Sequence, residues 1–187
     1  MCKLCETQPV YEFTNKRKLC KTCFIRYFQK KFLYIIRKFH MTQNGDIIYF
    51  KNNKEVRDMV LNDLLILLCK KSNIQLINNK NKSNKTAVSS TIDSEAEKVV
   101  NNLINKKINS LEEASPIIKK GDNIIIKPLY LFTDEEVLLY AKLKELKYKS
   151  EIKKQNDISN FLNNLEKKHP EVKRAVVNGY LNLIGKN

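Results

Sequence analysis

Gly45-Asp46-Ile47-Ile48-Tyr49-Phe50-Lys51-Asn52-Asn53-Lys54-Glu55-Val56 is the stretch that decides the fold class. A turn at Gly45-Asp46 leads into a short apolar run, Ile47–Phe50, which reads as a buried strand. Lys51 to Lys54 form a polar loop, with Asn53 placed to cap a helix. Val56, Met59, Val60, Leu64, Leu67 and Leu68 then recur at helical spacing and end at Lys70-Lys71. Ile74-Gln-Leu-Ile77 follows as a second strand. Strand, loop, helix and strand open a βαβ unit, and predict an α/β core around a short parallel sheet. In a nucleotide-binding protein of that class, the first loop would cradle phosphate with glycines and a helix N-terminus. This loop holds neither glycine nor serine, and as a phosphate site it reads as empty.

Upstream, Cys2-Lys-Leu-Cys5 and Cys20-Lys-Thr-Cys23 are separated by fourteen residues. Each pair suits a tight turn with two inward thiolates, and the loop between needs only to bring the turns together. Redox disulfide chemistry needs one such pair, not two. The spacing predicts one structural zinc on Cys2, Cys5, Cys20 and Cys23. Phe24, Ile25, Phe28, Phe32, Ile35, Ile36 and Phe39 follow as one apolar helical stripe. Such a stripe is core before it is anything else. Arg26, Lys30, Lys31, Arg37 and Lys38 make the same helix basic, and are the candidate RNA-binding residues. Residues 1–40 carry ten Lys/Arg against two acidic residues, a net +8 of the chain's +15. A zinc tetrathiolate contributes about −2, so the module stays strongly cationic.

Downstream, residues 78–94 are polar and low in complexity, and read as a flexible linker or loop. Ser94 to Glu97 offers a capping box into a helix carrying Val99, Val100, Leu103, Ile104 and Ile108. Ser110 to Ile117 suggests a further short helix stopped near Pro116, and Asn123–Ile126 a buried strand after the Gly121-Asp122 turn. Thr133-Asp-Glu-Glu136 is a capping box, so Glu135 and Glu136 serve a helix start before any acid–base chemistry. Two last helices begin near Asp157 and at His169-Pro170, with Pro170 at the first helical position. The expected organisation is a zinc module with its basic helix over 1–40 and an α/β domain over 41–187.

The chain's 187 residues can bury one proper core with a small satellite module. A pI near 9.6 fits a polyanionic partner, although the wealth of Asn, Lys and Ile also reflects an AT-rich genome. No apolar run approaches the roughly eighteen residues of a spanning helix, so no membrane is expected. Five cysteines, four of them in metal-type pairs, fit a reducing compartment. Cys69 reads as a small core residue, His169 as a neighbour of a helix cap, and His40 as superfluous to a site four cysteines already close.

Taken together, Leu19-Cys20-x-x-Cys23-Phe24-x-x-Tyr27-Phe28-x-x-Lys31-Phe32 followed by Gly45-Asp46-Ile-Ile resembles the N-terminus of the cytosolic tRNA-uridine thiolases of the PP-loop superfamily. Lys127-Pro128-Leu129 with Glu136-Val137-x-x-Tyr140, and His169-Pro-Glu-Val172 with Ala175 and Tyr180, are similar to later segments of the same family. The resemblance implies a reduced PP-loop (adenine-nucleotide α-hydrolase-like) core with C-terminal helices. It also implies work on tRNA in the cytoplasm. Catalytic members carry a Ser-Gly-Gly-Lys-Asp-Ser loop, where this chain has Lys51-Asn-Asn-Lys-Glu-Val56. Beyond the zinc pairs only Cys69 remains, too few for an iron–sulfur cluster. The chain thus looks like a shortened partner subunit, the cytoplasmic tRNA 2-thiolation protein 2 family. That family implies a heterodimer with the catalytic subunit, and sulfur delivered by a thiocarboxylated ubiquitin-like carrier to the wobble uridine of the lysine, glutamine and glutamate tRNAs. Neither ATP nor an iron–sulfur cluster is expected in the chain itself. A stand-alone zinc-ribbon RNA-binding or regulatory protein is the alternative, and a still-active sulfurtransferase a third reading that the glycine-free loop opposes.

Overall fold

The computed structural model describes residues 1–149 and 156–185. A five-stranded sheet is its centre, in the spatial order β4-β3-β5-β7-β6, with strands β3 (Ile47–Phe50), β4 (Gln75–Ile77), β5 (Lys85–Ala87), β6 (Ile117–Lys120) and β7 (Asn123–Ile126). The first four in space run parallel, and β6 pairs antiparallel with β7 across the Gly121 turn, where φ is +59°. Register sets Phe50, Ala87 and Ile126 abreast as the last row before the carboxyl edge. All three are buried.

Helix α2 (Val56–Lys71) crosses from β3 to β4, and α3 (Ile92–Ile104) lies between β5 and the hairpin of β6 and β7. The two crossovers leave the centre of the sheet in opposite directions, so right-handed connection puts their helices on opposite faces. Helices α1 (Lys21–Lys38) and α4 (Asp134–Leu143) join α2, whereas α5 (Asp157–Lys168) and α6 (Val172–Leu183) join α3. The α/β class and the C-terminal helices follow the sequence reading.

Helix α1 is not a satellite. Phe24, Phe28, Phe32 and Ile35 are fully buried in one core with the sheet. Phe28 stacks on Phe132 and Tyr140, with ring centroids 4.1 and 4.3 Å away. Aromatic stacking of this kind adds about 0.5–1.5 kcal/mol per pair beyond area burial. Residues 1–20 add a small hairpin of β1 (Tyr11–Glu12) and β2 (Lys18–Leu19), and Leu19 and Tyr11 pack it onto the same core. No helix among the described residues is long and apolar enough to cross a membrane.

Residues 78–94 are not a linker. They contain a short 3-10 turn at Lys80–Lys82, the central strand β5, and the start of α3. A strand with lysine first can be central because Lys85 is neutralised where it lies. Its Nζ donates to Asp46 Oδ2 at 2.6 Å and to the Met41 carbonyl at 3.0 Å. Burial disfavours the Asp46 carboxylate, but hydrogen bonds from Lys85, the Gln43 N–H and Asn84 outweigh it and hold its pKa below the usual range. The expected helix over 110–117 also yields. Its first part is a 3-10 stretch, Ile108–Ala114, and Pro116 then releases the chain into β6. The capping box at Ser94 is displaced too: Thr91 is the cap residue of α3, and Ser94 Oγ accepts from Arg57 instead. Helix α6 starts at Val172 behind Glu171, two residues after Pro170.

Candidate functional site

Two places gather chemistry. The first is the cysteine cluster. Cys2 and Cys5 sit in the N-terminal turn, Cys20 directly precedes α1, and Cys23 lies in that helix's first turn. The hairpin is what brings the pairs together: Val10 N–H donates to the Leu19 carbonyl, and Lys3 N–H to that of Lys18. All four Sγ atoms lie within 4.8 Å of one another, with Cys5 Sγ 3.3 Å from Cys20 Sγ and 3.6 Å from Cys23 Sγ. Tetrahedral thiolates about 2.3 Å from a central ion stand about 3.8 Å apart. The donor set therefore fits one metal ion. Leu4 N–H points at Cys2 Sγ from 3.5 Å, a donor suited to thiolate charge.

The thiols are unequal. Hydrogen bonds from Thr7, the Cys23 N–H and Cys5 bring Cys20 down to about 6. Burial raises Cys2, yet donors from Leu4, Cys20 and Cys5 carry it below the usual thiol value. Cys23 is pushed up to about 12 by its bonds to Cys5 and Cys20. Cys69 lies apart on α2, half-buried, with its thiol raised by burial.

The candidate RNA-binding residues divide. Arg26, Lys30 and Arg37 are exposed on one face of α1, and Lys38 lies half-buried with Nζ 5.6 Å from the Phe39 ring. Lys31 does not join them. Its ammonium donates to both carboxylate oxygens of the buried Glu136, at 3.0 and 2.8 Å, and lies 4.5 Å from the Phe132 ring centre. Glu136 is also the reciprocal partner in the α4 capping box, so Lys31 ties α1 to α4. Burial holds the Lys31 pKa below its usual value despite the Glu136 charge.

The second place is the carboxyl edge of the sheet, where the strand order reverses between β3 and β5. Open α/β proteins bind ligands in such a crevice. Here the helix N-termini that would meet a phosphate meet the protein's own carboxylates. Asn53 N–H, in the loop before α2, donates to Asp58 Oδ2 at 2.9 Å, and Asp58 Oδ1 accepts from Ser89 at 2.5 Å. The Asp134 N–H of α4 donates to Asp93 at 2.7 Å. Arg57 grips Asp134 with Nε at 2.8 Å and Nη2 at 2.6 Å, and Thr91 donates to the same carboxylate at 2.8 Å. Lys173 of α6 closes the rim on Asp93 and Glu166, both at 2.6 Å. The loop residues Lys51–Glu55 are exposed, and Lys149 N–H donates to the Lys54 carbonyl across them. The donors and cations of this rim are thus engaged by the protein's own carboxylates.

Beneath that rim lies a fully buried carboxylate, Glu95. It accepts from Ser90, from Lys98 at 2.8 Å and from Lys127 at 2.8 Å, and Lys127 donates also to the Glu113 carbonyl at 2.5 Å. Burial brings Lys127 down to about 8, against a model-compound value of 10.5, more than Glu95 restores. The folded state therefore binds fewer protons than the unfolded chain between about pH 8 and 10.5, and stability rises with pH there. Buried tyrosines set the ceiling. Tyr27 is pushed up to about 12 by burial and Glu136, and Tyr130 and Tyr140 higher still, so their protonated native forms lose stability above about pH 10. Urea titrations at pH 7, 8 and 9 should show stability climbing by about 1 kcal/mol from the first to the last, before the tyrosines reverse the trend near pH 10. A monotonic fall above pH 8 would contradict this ledger of protons.

The sequence matches no established family profile. It is 33% identical over 103 residues to the tRNA-5-methyluridine(54) 2-sulfurtransferase of Pyrococcus horikoshii, an overlap covering 51% of this chain and 33% of that protein. The chain thus spans about a third of the length of the curated relative it matches. Among solved structures, the U34-tRNA thiolase NcsA of Methanococcus maripaludis, determined with its 4Fe–4S cluster, superposes with a TM-score of 0.77 at 19% identity. That superposition covers 98% of this chain and 87% of the thiolase. This chain shares the fold of that thiolase. Its sheet, its N-terminal four-cysteine cluster and its C-terminal helices agree with the architecture expected from sequence. What sequence reasoning missed is the carboxylate network at the crevice. Most of its contacts join residues 31 to 80 positions apart, and charged residues so scattered read as ordinary surface.

Proposed function

We propose that this chain is a non-catalytic subunit of a tRNA thiolase, which holds tRNA for a catalytic partner. The sequence likeness to a tRNA 2-sulfurtransferase and the shared thiolase fold support the process. The observation that carries the subunit role is the crevice where Asp58, Asp93 and Asp134 stand at the helix N-termini. There Arg57 and Lys173, the cations that could face a nucleotide's phosphates, are committed to Asp134 and Asp93, and the loop before α2 offers no glycine cradle. In this reading the four cysteines hold one structural zinc, ATP and the sulfur chemistry belong to the partner, and a ubiquitin-like carrier delivers sulfur to the pair. The complex works in the cytoplasm.

Depleting the protein should abolish 2-thiouridine at the wobble position of the lysine, glutamine and glutamate tRNAs, read by ribonucleoside mass spectrometry. A tagged chain should co-purify with a larger thiolase. Normal 2-thiouridine after depletion would reject the subunit reading. The stand-alone zinc-ribbon RNA binder would then take its place, a reading favoured by the unpaired cations of α1, which need no partner chain to meet RNA.

A further inference from the structure

The protein pairs its buried cations with care. Lys31, Lys85, Lys127 and Lys173 each meet a carboxylate within 2.8 Å. The outer face of α1 is the opposite case. Arg26, Lys30, Tyr34 and Arg37 recur at three- and four-residue spacing, within an arc of about 80° turned away from the core. Their side chains make no hydrogen bond, ion pair or ring contact among the described residues, and Tyr34 leaves 52% of its surface in solvent. An exposed aromatic with cations on both sides offers a stacking face flanked by positive charge.

The surface around this stripe is concave. One cavity, of about 580 Å³, is bordered by Arg17, Arg26, Tyr27, Lys30 and Tyr34, and reaches the exposed Cys5 of the metal cluster. No acidic residue lines it. A second, of about 390 Å³, begins one turn further along α1 and sets Arg37 and Lys71 above a floor of Leu33, Ile36, Leu68 and Ile74. Tyr34 therefore stands between two cation pairs, Arg26 with Lys30 and Arg37 with Lys71. The alternation is cation, ring, cation, with about one helical turn, some 5–6 Å, at each step.

We propose that this face binds unpaired RNA, with one base stacked on Tyr34 and the phosphates before and after it held by the two cation pairs. The inference rests on the tRNA reading above and adds the conformation of the bound segment. A duplex keeps its bases inside, where Tyr34 cannot reach them, whereas an unpaired nucleotide offers a π-face and flexible phosphates together. The first cavity is large enough for a nucleotide, since small-molecule sites run from about 300 to 1,000 Å³. Tyr27, on the wall of that cavity, is held by Phe13 in an edge contact at 5.0 Å and serves as a fixed side.

The test uses the full chain as purified and two fluorescein-labelled probes, a short single-stranded oligouridylate and an RNA duplex of equal length, read by anisotropy across a salt series. The single strand should bind more tightly than the duplex. Tyr34→Ala should weaken the single strand about tenfold and leave the duplex unchanged, while Tyr34→Phe, which keeps the ring, should retain full affinity. Lys30→Ala and Arg37→Ala should each lower the salt slope by about 0.7. Thermal melting of the variants separates loss of binding from loss of fold, and all three positions are exposed. Equal affinity for both probes, an unchanged Tyr34→Ala, or no RNA binding at low salt would overturn the proposal. Wobble 2-thiouridine lost on depletion, beside a Tyr34→Ala variant that restores it fully, would sink the stacking site and leave the thiolase-subunit reading intact.

Discussion

Glu95→Ala should destabilise the protein by about 3–5 kcal/mol in chemical denaturation at neutral pH. The carboxylate is fully buried and Lys127 beside it is 3% exposed, so its removal strands an ammonium inside the core. The Ser90 hydroxyl and Lys98 lose their acceptor as well. The Glu113 carbonyl alone cannot hold the charge, and the Lys127 pKa should fall further. Destabilisation should therefore shrink as pH rises, because a neutral amine is cheaper to bury. A double variant, Glu95→Leu with Lys127→Met, should recover most of the loss, since two apolar side chains of similar volume leave no uncompensated charge. A single variant as stable as the parent would mean that water reaches this pair, contrary to its burial.

Cys20→Ser should abolish metal binding, with elemental analysis falling from one zinc per chain to none. Iron in place of zinc would reject the zinc assignment while leaving the four-sulfur geometry standing. Structural zinc sites contribute up to about 10–16 kcal/mol in small peptides, so the N-terminal turn and the hairpin that the cluster ties together should lose protection from hydrogen exchange. The loss should stop at α1. Phe24, Phe28, Phe32 and Ile35 are held by the sheet-side core, and the ion pair of Lys31 with Glu136 does not involve the metal. Sequence alone predicts a module that fails as a unit over residues 1–40, whereas the packing of α1 moves the boundary to about residue 20. Zinc should also leave as pH falls, because the ligands must be thiolates.

The parts of the fold legible in sequence are those with strong local periodicity. Ile47–Phe50, the apolar faces of α1 and α2, and the Thr133 capping box each declare themselves within a few residues. Strand β5 does not. It is three residues long and opens with a lysine, and its right to a central position comes from Asp46, thirty-nine residues earlier. The hairpin strand β6 hides behind Pro116 in the same way, its pairing visible only once β7 is in place. At the candidate sites the contrast repeats. Cysteine spacing announces a metal ligand set, because both halves of each pair are local. Lys31 announced itself as one more surface cation, because the carboxylate that claims it lies 105 residues away.

That separation has a consequence for a chain made from its N-terminus. The cysteine hairpin can close on its metal as soon as residue 23 is free, and its Tyr11 then meets Phe24, but the rest of the apolar stripe of α1 lacks its distant partners. Its partners, Phe132, Glu136 and Tyr140, emerge over a hundred residues later. At about 5–20 residues per second, the interval on the ribosome is roughly 5–20 s. Throughout it, Phe28 and Phe32 leave a greasy ridge on a nascent chain, open to chaperones or to a neighbouring nascent subunit.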